Sequence, residues 1–411
     1  MLTSHNKTIF ETLGRNPIHP FPARMAPGIA LAALQNCRKS LAVLDPMSGS
    51  GTVLAVAQAH GHRALGIDVD PLAVLLAGVW TRPVDPQEAE DKAVVVLERA
   101  RQHFNVQTSG GAYPSGSDPE TKAFLRYWFD DYARRQLAAL STSITRVRDT
   151  LLRDVLWCGF SRLIITKQAG ASLAMDLSHS RPHRVFKSAP IKPFSHFLSA
   201  VGTIITNCTR AENTAGPTVQ VHRGDARKLQ IKDCSIDLVL TSPPYLNAID
   251  YLRCSKFSLV WMGYSIEHLR RIRTNSVGTE AASTQALEIP WIQKLIRQLR
   301  ISPALSPRNH AHLCTYAWDM SRAVAEVSRV LKRRGRAVYV VGDSLVKGSY
   351  VRNSALVTAI ARQHGLTLES RQSRALPANR RYLPPPVLGG PKDATMNGRM
   401  RREVVVVFRK Q

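Results

Sequence analysis

The amino-acid sequence predicts an α/β fold with a mostly parallel, doubly wound sheet. A short apolar run at 41–44 leads into a glycine-rich loop, a helical stretch at 53–60 and a second apolar run at 64–67. This order of strand, glycine loop, helix and strand is the opening βαβ unit of such a sheet. A helical stretch at 320–331, with Gly335 at its C-terminal end, also precedes a strand-like run. The later buried-strand patterns lie at 219–221, 236–240, 337–341 and 404–408.

Two long segments interrupt the strand pattern. The first, 83–217, has helical spacing at 88–103 and 122–148, and the second, 264–311, is rich in Arg and Gln. Insertions of this kind in α/β folds emerge as surface loops or small subdomains near the carboxyl ends of the strands, where ligands bind. We therefore expect one core domain in three parts, with two candidate recognition regions inserted into it. The core parts are 1–82, 218–263 and 312–411.

The composition is that of a folded, strongly basic protein. Its 411 residues are 44% hydrophobic, and 56 Lys and Arg stand against 30 Asp and Glu, which gives a net charge of +26. Such an excess attracts polyanions and favours contacts with phosphate groups. A basic, solvated surface is the simpler explanation of the charge taken alone.

The six cysteines are scattered, without a Cys-x-x-Cys pair, so we expect neither a zinc ribbon nor a disulfide framework. The N-terminus lacks the layout of a signal peptide, and no apolar run approaches the roughly 20 residues that span a bilayer. We predict a soluble intracellular protein with no membrane partner.

His179 and His183 have the i, i+4 spacing of metal ligands on a helix, but Pro182 would break that helix, so we predict no metal.

A glycine loop, Asp-Pro-Met-Ser-Gly-Ser-Gly-Thr at 45–52, follows the first strand. Gly49 and Gly51 permit the positive φ angles and the close backbone approach that a ligand needs in a tight turn. Asp68 ends the second strand roughly 20 residues later, where an acid can accept hydrogen bonds from ribose hydroxyls. Asp225 ends a third strand and could accept a bond from an adenine amino group. For each feature alone, an ordinary turn remains an alternative.

The proline loop, Thr-Ser-Pro-Pro-Tyr at 241–245, follows a buried strand. Pro243 and Pro244 have fixed φ angles and no N–H donor, so we expect a rigid loop whose carbonyls point outward as acceptors. Ser242 adds a side-chain acceptor, and Tyr245 offers a flat face. This set suits a planar molecule with an amino group, although a proline-stiffened turn is the plainer interpretation.

Taken together, these motifs resemble those of the DNA amino-methyltransferases, the group with the N-4 cytosine and N-6 adenine DNA methylase domain. The resemblance covers roughly 16–80, 219–262 and the tail from about 320. The segment His-Pro-Phe-Pro-Ala-Arg-Met at 19–25 looks like the part of such enzymes that lines the methionine end of the cofactor. The segments 379–385 and 401–404 also look like bacterial members.

The resemblance implies a Rossmann-like S-adenosylmethionine-dependent methyltransferase fold. It assigns the ribose to Asp68, the adenine to Asp225 and the donor loop to 45–52. Many members carry an aromatic residue near Met47, whose flexible thioether would substitute here. The implied cofactor-binding residues are Arg24, Asp45, Pro46, Met47, Ser48, Gly49, Gly51, Thr52, Asp68 and Asp225. The implied catalytic residues are Ser242, Pro243, Pro244 and Tyr245.

In this family, Ser at the first catalytic position mostly accompanies methylation of cytosine N4, whereas Asp or Asn mostly accompanies adenine N6. Ser242 therefore favours cytosine N4, with adenine N6 as the alternative. Methylation of cytosine C5 is excluded because it needs a Pro-Cys nucleophile, and none of the six cysteines follows a proline. An RNA enzyme that acts on guanine N2 and a non-catalytic nucleic-acid-binding protein stay open as rival hypotheses.

The partner implied by the resemblance is double-stranded DNA, from which the target base must be flipped out. The segment 247–253 is expected to shape the base pocket. The family also implies a bacterial, cytoplasmic, nucleoid-associated enzyme in a restriction–modification or epigenetic role, and leaves open a cognate restriction endonuclease as a partner. The candidate DNA contacts are Arg253, Lys256, Arg270, Arg271, Arg273 and the run 179–184.

Overall fold

The computed structural model describes residues 7–22, 24–35, 37, 39–106, 112–178, 182–210, 217–246, 252–279, 284–299, 305–346, 349–376 and 402–411. The strands are β1 (Ala42–Asp45), β2 (Arg63–Asp68), β3 (Pro83–Val84), β4 (Thr209–Arg210), β5 (Val219–Arg223), β6 (Ile236–Thr241), β7 (Leu331–Gly342), β8 (Ser344–Val346), β9 (Ser349–Val351), β10 (Leu366–Ala375) and β11 (Arg402–Lys410). The helices are α1 (Ile9–Leu13), α2 (Pro27–Leu34), α3 (Thr52–Ala59), α4 (Pro71–Thr81), α5 (Pro86–Val106), α6 (Pro119–Trp128), α7 (Asp131–Thr145), α8 (Thr150–Ile164), α9 (Pro193–Asn207), α10 (Leu252–Leu259), α11 (Ile266–Thr274), α12 (Thr284–Leu287), α13 (Pro290–Gln298), α14 (Pro307–Val330) and α15 (Asn353–Gln363).

The main sheet has seven strands in the order β10-β11-β7-β6-β1-β2-β5. β1 pairs in parallel with β6 and β2, and the parallel pairing continues to β7 on one side and β5 on the other. Only β11 runs in the opposite direction, antiparallel to both β7 and β10. The predicted mostly parallel, Rossmann-like α/β fold is therefore confirmed.

Alternate residues of the central strands face opposite sides of the sheet, and each side has its own apolar core. Val43 and Leu238 pack with α2 and α3 on one side. Leu44 and Val239 pack with α14 and α15 on the other. Burial on both sides explains why β1 and β6 are short, continuously apolar runs in the sequence. Helices on both sides make the sheet doubly wound, as predicted.

The long segment between α4 and β5 folds as a bundle of the helices α5–α9, which share one apolar core with α4 and α10. β3 and β4, at the two ends of this bundle, pair in parallel, so the chain leaves the core domain and returns to it at neighbouring points. The segment after α10 forms α11, which packs on α6 and α10, and then α12 and α13, which pack on α14. Both interruptions therefore contact the helices that surround the sheet.

Two details of the predicted elements are wrong. The stretch 122–148 was expected as one helical segment but forms α6 and α7. It divides because the Asp130 side chain accepts a 2.9 Å hydrogen bond from the Ala133 N–H and caps a new helix there. Gly335 does not follow a helix end but lies inside β7, which begins directly after α14. The segments 379–385 and 401 lie outside the described residues.

A pair of glycines at the crossing of α8 and α9 tests the packing of the bundle. A Cβ at Gly159 would lie 2.5 Å from Val201 Cγ2, whereas a Cβ at Gly202 would meet nothing within 4 Å. We expect Gly159→Ala to lower the free energy of unfolding by about 1–3 kcal/mol through overpacking. Gly202→Ala should raise it by up to about 1 kcal/mol through helix propensity. Urea denaturation measures the free energy of unfolding of both variants. A higher value in both would contradict the close contact between α8 and α9 at Gly159.

Candidate functional site

The glycine loop joins β1 to α3 and turns back over the end of β2. Its course is fixed by a 3.0 Å hydrogen bond from the Ser48 N–H to the Ile67 carbonyl. Gly51 has a φ of +87°, and a Cβ there would lie 2.8 Å from the Cβ of Ala77 in α4. Both the angle and the contact require glycine at this position. Gly49, with a φ of +50°, would place a Cβ in nearly open space, 3.8 Å from Phe21 alone.

Three hydroxyl groups of this loop are buried and have no hydrogen-bond partner within the described part of the chain. They belong to Ser48, Ser50 and Thr52. An unsatisfied buried hydroxyl costs about 1–3 kcal/mol, so such groups usually have a partner that the protein alone does not provide. Beside them, the backbone at Gly49 adjoins nearly open space, where a polar ligand can approach the loop. The loop therefore fits a cofactor with several hydrogen-bonding groups, as S-adenosylmethionine has.

Three carboxyl groups lie near the loop, of which Asp45 and Asp70 are buried and Asp68 is partly exposed. Asp68 accepts 2.8 and 2.9 Å hydrogen bonds from the N–H groups of Gly49 and Asp70. Asp70 caps α4 and accepts a 2.6 Å bond from the Ser255 hydroxyl of α10. Burial raises the pKa of Asp45 and of Asp70 to about 7, and it also raises the pKa of Asp68. Acids held in this way favour a ligand with positive charge, because its field would stabilise their ionised forms.

The proline loop lies beside the glycine loop because β6 is the neighbour of β1. The Thr241 hydroxyl donates a 2.7 Å hydrogen bond to Asp45 Oδ1, and the Met47 N–H donates a 3.1 Å bond to the same oxygen. Thr241 is fully buried, and the Asp45 residue is 3% exposed. This shared acceptor fixes the start of one loop against the start of the other.

The residues of the proline loop are only partly as predicted. The Ser242 hydroxyl donates a 3.2 Å bond to the Val340 carbonyl and lies 3.5 Å from the Tyr245 hydroxyl. The expectation that the loop carbonyls point outward is wrong for Pro244, whose carbonyl accepts a 2.9 Å bond from the buried Tyr316 of α14. Since Ser242 donates its proton to Val340, its oxygen acts as an acceptor toward the Tyr245 hydroxyl and toward a donor on a ligand.

Asp225 lies just after β5, next along the sheet from Asp68, and its side chain is 36% exposed. Its carboxylate is gripped by the Arg227 guanidinium, with N···O distances from 2.8 to 3.1 Å. Arg227 also forms a 2.6 Å ion pair with Asp319 of α14. The orientation of the Asp225 carboxylate is therefore set by another side chain.

The segment 19–25 reaches the glycine loop through the ring of Phe21. Its own course is held by Arg24, which donates hydrogen bonds to the Phe21 and His19 carbonyls. The His19 ring is buried and hydrogen-bonded to the Ser161 hydroxyl of α8 at 3.0 Å. Burial, with Arg162 and Arg24 nearby, lowers the pKa of His19 well below its usual value, so the ring is neutral. Cofactor contact by Arg24 stays a prediction.

Two of the candidate DNA-contacting residues have partners within the protein, and their contact with DNA stays a prediction. Arg270 forms an ion pair with Glu120 of α6, and the Lys256 ammonium lies 5.3 Å from the centre of the Phe124 ring. Arg271 and Arg273 are exposed on α11. The predicted segments 179–181 and 247–251 lie outside the described residues.

The residues that support the site were not assigned from the sequence. Asp70 followed by Pro71 is a helix-start signal that would have predicted the cap of α4. Tyr316 and Asp319 had no such signal, because their contacts with the loops join segments far apart in the chain.

Within the described segments, no group of three or more His, Cys, Asp or Glu side chains is arranged to hold a metal ion. None of the described helices combines the length and apolar character needed to cross a membrane.

Comparison with known proteins gives distant relatives of one kind, while no protein-family model matches the chain. Type II methyltransferase M.MvaI of Kocuria varians is 20% identical over 369 residues, which cover 85% of this chain and 81% of that protein. Type II methyltransferase M.AvaI of Nostoc sp. is 22% identical over 368 residues, covering 80% of this chain and 73% of its own. For type II methyltransferase M.BsoBI of Geobacillus stearothermophilus, 22% identity extends over 56% of this chain and 49% of that protein. The resemblance to DNA methyltransferases is thus confirmed.

Among solved structures, a SAM-dependent methyltransferase of Methanosarcina mazei covers 91% of this chain and 94% of its own at 9% identity. Its TM-score is 0.33, and a likeness of that size supports no conclusion about this chain.

The glycine loop can be tested by its own steric requirement. Gly51→Ala would incur both a left-handed backbone angle and a contact with Ala77, whereas Gly61→Ala, at a φ of +78° in open space, incurs only the angle. We expect Gly61→Ala to lower the free energy of unfolding by about 1 kcal/mol. Gly51→Ala should lower it by at least about 2 kcal/mol. Equal losses in urea denaturation would contradict the close approach of the loop to α4.

The buried acid of Asp45 predicts a dependence of stability on pH. Its pKa is about 7 in the folded protein and about 4 when unfolded, so between these values the folded state keeps a proton that the unfolded state releases. The free energy of unfolding should therefore fall as the pH rises from about 4 to about 7. Asp45→Asn keeps the acceptor atom for both hydrogen bonds and should reduce this slope, and the slope that remains comes from Asp70, whose pKa is also raised to about 7. Thr241→Val keeps the carboxyl group and should retain the slope; an unchanged slope in Asp45→Asn would contradict the assignment.

Proposed function

We propose that this chain, which resembles type II DNA methyltransferases over most of its length, is a site-specific, S-adenosylmethionine-dependent DNA methyltransferase. The acceptor we propose is the exocyclic amino group of a flipped base, N4 of cytosine. One observation carries the proposal. The 2.7 Å bond between Thr241 and Asp45 holds the proline loop beside a glycine loop whose hydroxyls have no partner. A base at one loop and a methyl donor at the other would then meet.

The donor side of the site fits S-adenosylmethionine. When bound, this cofactor supplies a methyl group activated on a positively charged sulfur. Asp68 has one backbone N–H on each oxygen, so each oxygen retains a lone pair for a ribose hydroxyl. Asp225 presents its partly exposed carboxylate to an adenine amino group. Asp45 and Asp70 add negative charge in a buried setting, where it acts on a cationic ligand more strongly than it would in water.

The acceptor side recognises an amino group. The Ser242 oxygen and the Pro243 carbonyl accept the two N–H bonds of the base, and the Tyr245 ring stacks on its face. Holding both hydrogens directs the nitrogen lone pair at the methyl group, and alignment and proximity supply most of the rate. The nitrogen would bond to the methyl carbon as the carbon–sulfur bond of the donor breaks and leaves a neutral thioether. The nitrogen would then lose one proton to water, and no covalent bond to the protein would be formed.

The charge of the chain supports a DNA substrate. Flipping a base out of a duplex costs a few kcal/mol, which contacts with the phosphate backbone have to recover. A net charge of +26 attracts the backbone, and Arg271 and Arg273 stand exposed on α11, in the segment that follows the proline loop. We assign the protein a restriction–modification or epigenetic role, in which a cognate endonuclease is an expected partner.

The first test is expression in a host without DNA methylation, followed by digestion of its genomic DNA and mass spectrometry of the nucleosides. N4-methylcytosine is the expected product. N6-methyladenine would retain the mechanism and overturn the choice of base. If folded protein that binds S-adenosylmethionine yields neither product, the proposal of a DNA substrate is overturned in favour of RNA. Protein that binds no donor would support a non-catalytic nucleic-acid-binding role.

One serine directly precedes β6 and another directly follows it, and together they provide a matched pair of variants that tests the mechanism. Ser242→Ala removes the proposed acceptor and should lower kcat for DNA methylation by about 100-fold or more, since preorganised polar groups at a reacting centre have effects of that size. Donor affinity should change little, because Ser242 faces the base. Ser235→Ala, at the opposite end of the strand, removes a hydroxyl that bonds only the Lys232 carbonyl and should leave kcat unchanged. Intact methylation in a Ser242→Ala, Pro243→Ala double variant would refute the mechanism.

A further inference from the structure

Arg227 connects three parts of the chain that are distant in sequence. Its Nε and one terminal nitrogen hold both oxygens of Asp225. Its other terminal nitrogen pairs with Asp319 of α14 at 2.6 Å. The nitrogen that faces Asp225 also donates to the carbonyl of Asn275, directly after α11. With a side chain only 11% exposed, Arg227 is buried at the junction of the β5 end, α14 and the second interruption.

The two elements that Arg227 joins to Asp225 also hold the proline loop. α14 carries Tyr316 one helical turn before Asp319, and the Tyr316 hydroxyl bonds the Pro244 carbonyl. The turn after α11 lies beside the same proline, because a Cβ added at Gly278 would lie 3.4 Å from Pro244 Cβ and 3.8 Å from the Tyr316 ring. Pro244 is therefore bonded by α14 and adjoins this turn, and Arg227 forms hydrogen bonds with both of these elements.

We propose that Arg227 is a positioning residue that aligns the donor and acceptor halves of the active site. It holds the carboxylate of Asp225 in the orientation for the adenine, and through Asp319 and Asn275 it fixes the supports of Pro244. This inference rests on the proposed methyltransferase function. It needs arginine specifically, since a planar guanidinium can bond two carboxylates and a carbonyl in fixed directions and a lysine ammonium cannot.

A purely structural ion pair is the competing explanation, and the chain provides a control for it. Arg329, in the last turn of α14, likewise bonds two carboxylates, Glu326 and Asp233, and two carbonyls, those of Leu229 and Ile231. Asp233 precedes β6, at the amino ends of the parallel strands, away from both loops. Arg329→Lys therefore removes a comparable set of bonds at a place where no ligand is proposed.

The experiment compares wild type, Arg227→Lys, Arg329→Lys and Asp225→Asn as full chains. We would measure the thermal midpoint, the dissociation constant of S-adenosylmethionine by calorimetry, and kcat for DNA methylation at saturating donor. Arg227→Lys should weaken donor binding about 10-fold and lower kcat about 10-fold. Asp225→Asn should weaken donor binding with kcat retained, and Arg329→Lys should retain both within about twofold.

Each other outcome has a defined meaning. If Arg227→Lys matches Arg329→Lys in both constants, the bond network is only structural and the inference is wrong. If it matches Asp225→Asn, alignment of Pro244 by Arg227 is refuted. Should Arg227→Lys fail to fold, Asp319→Asn leaves the Asp225 pair intact and should lower kcat without changing donor affinity; an unchanged kcat overturns the inference. Wild type that binds no donor overturns the proposed function and this inference together.

Discussion

The hydrogen bond from the Thr241 hydroxyl to the Asp45 carboxyl is the contact on which the geometry of the site depends. It is possible only because β1 and β6 are neighbours in the centre of a parallel sheet, where strands end at the same edge. Burial of this carboxyl group is costly and raises its pKa to about 7, whereas the bond from Thr241 favours the ionised form. In exchange, the starts of the two loops are fixed relative to one another. The remaining acids, Asp68 and Asp225, follow on β2 and β5, the next strands along the same edge.

The parts of the fold that could be predicted from the sequence are those with a local signal. β1, β2, β6 and β11 are apolar runs because both of their faces pack in the apolar cores on the two sides of the sheet. β10 was missed because its buried residues alternate irregularly with exposed ones along an edge strand. The division between α6 and α7 was missed for a different reason. Asp130 acts as a helix cap there, and helical spacing of apolar residues on both sides concealed it.

The candidate site shows the same division between local and distant information. Gly49, Gly51, Asp68 and the proline loop belong to motifs whose meaning lies within a few residues of sequence. Tyr316, which ties down Pro244, comes from a helix more than 70 residues further on. No pattern within the sequence connects such residues, because their partners are chosen by the order of the strands. A sequence motif therefore identifies the groups that face a ligand but not those that hold these groups in place.

The chain as a whole carries positive charge, whereas the candidate site carries acidic groups. The two charges act over different ranges, because charge is screened in water and is felt strongly in a buried site. The excess of 26 positive charges acts through solvent, where salt limits its reach to about 10 Å, so it attracts a long polyanion to the whole surface. The carboxyl groups of Asp45, Asp68 and Asp70 act inside the protein, where a charge in contact is felt strongly but only locally. Their raised pKa values show that burial without a cation works against their ionisation. A cationic donor in the glycine loop would remove that opposition, so one basic chain can attract DNA and still hold a positively charged cofactor.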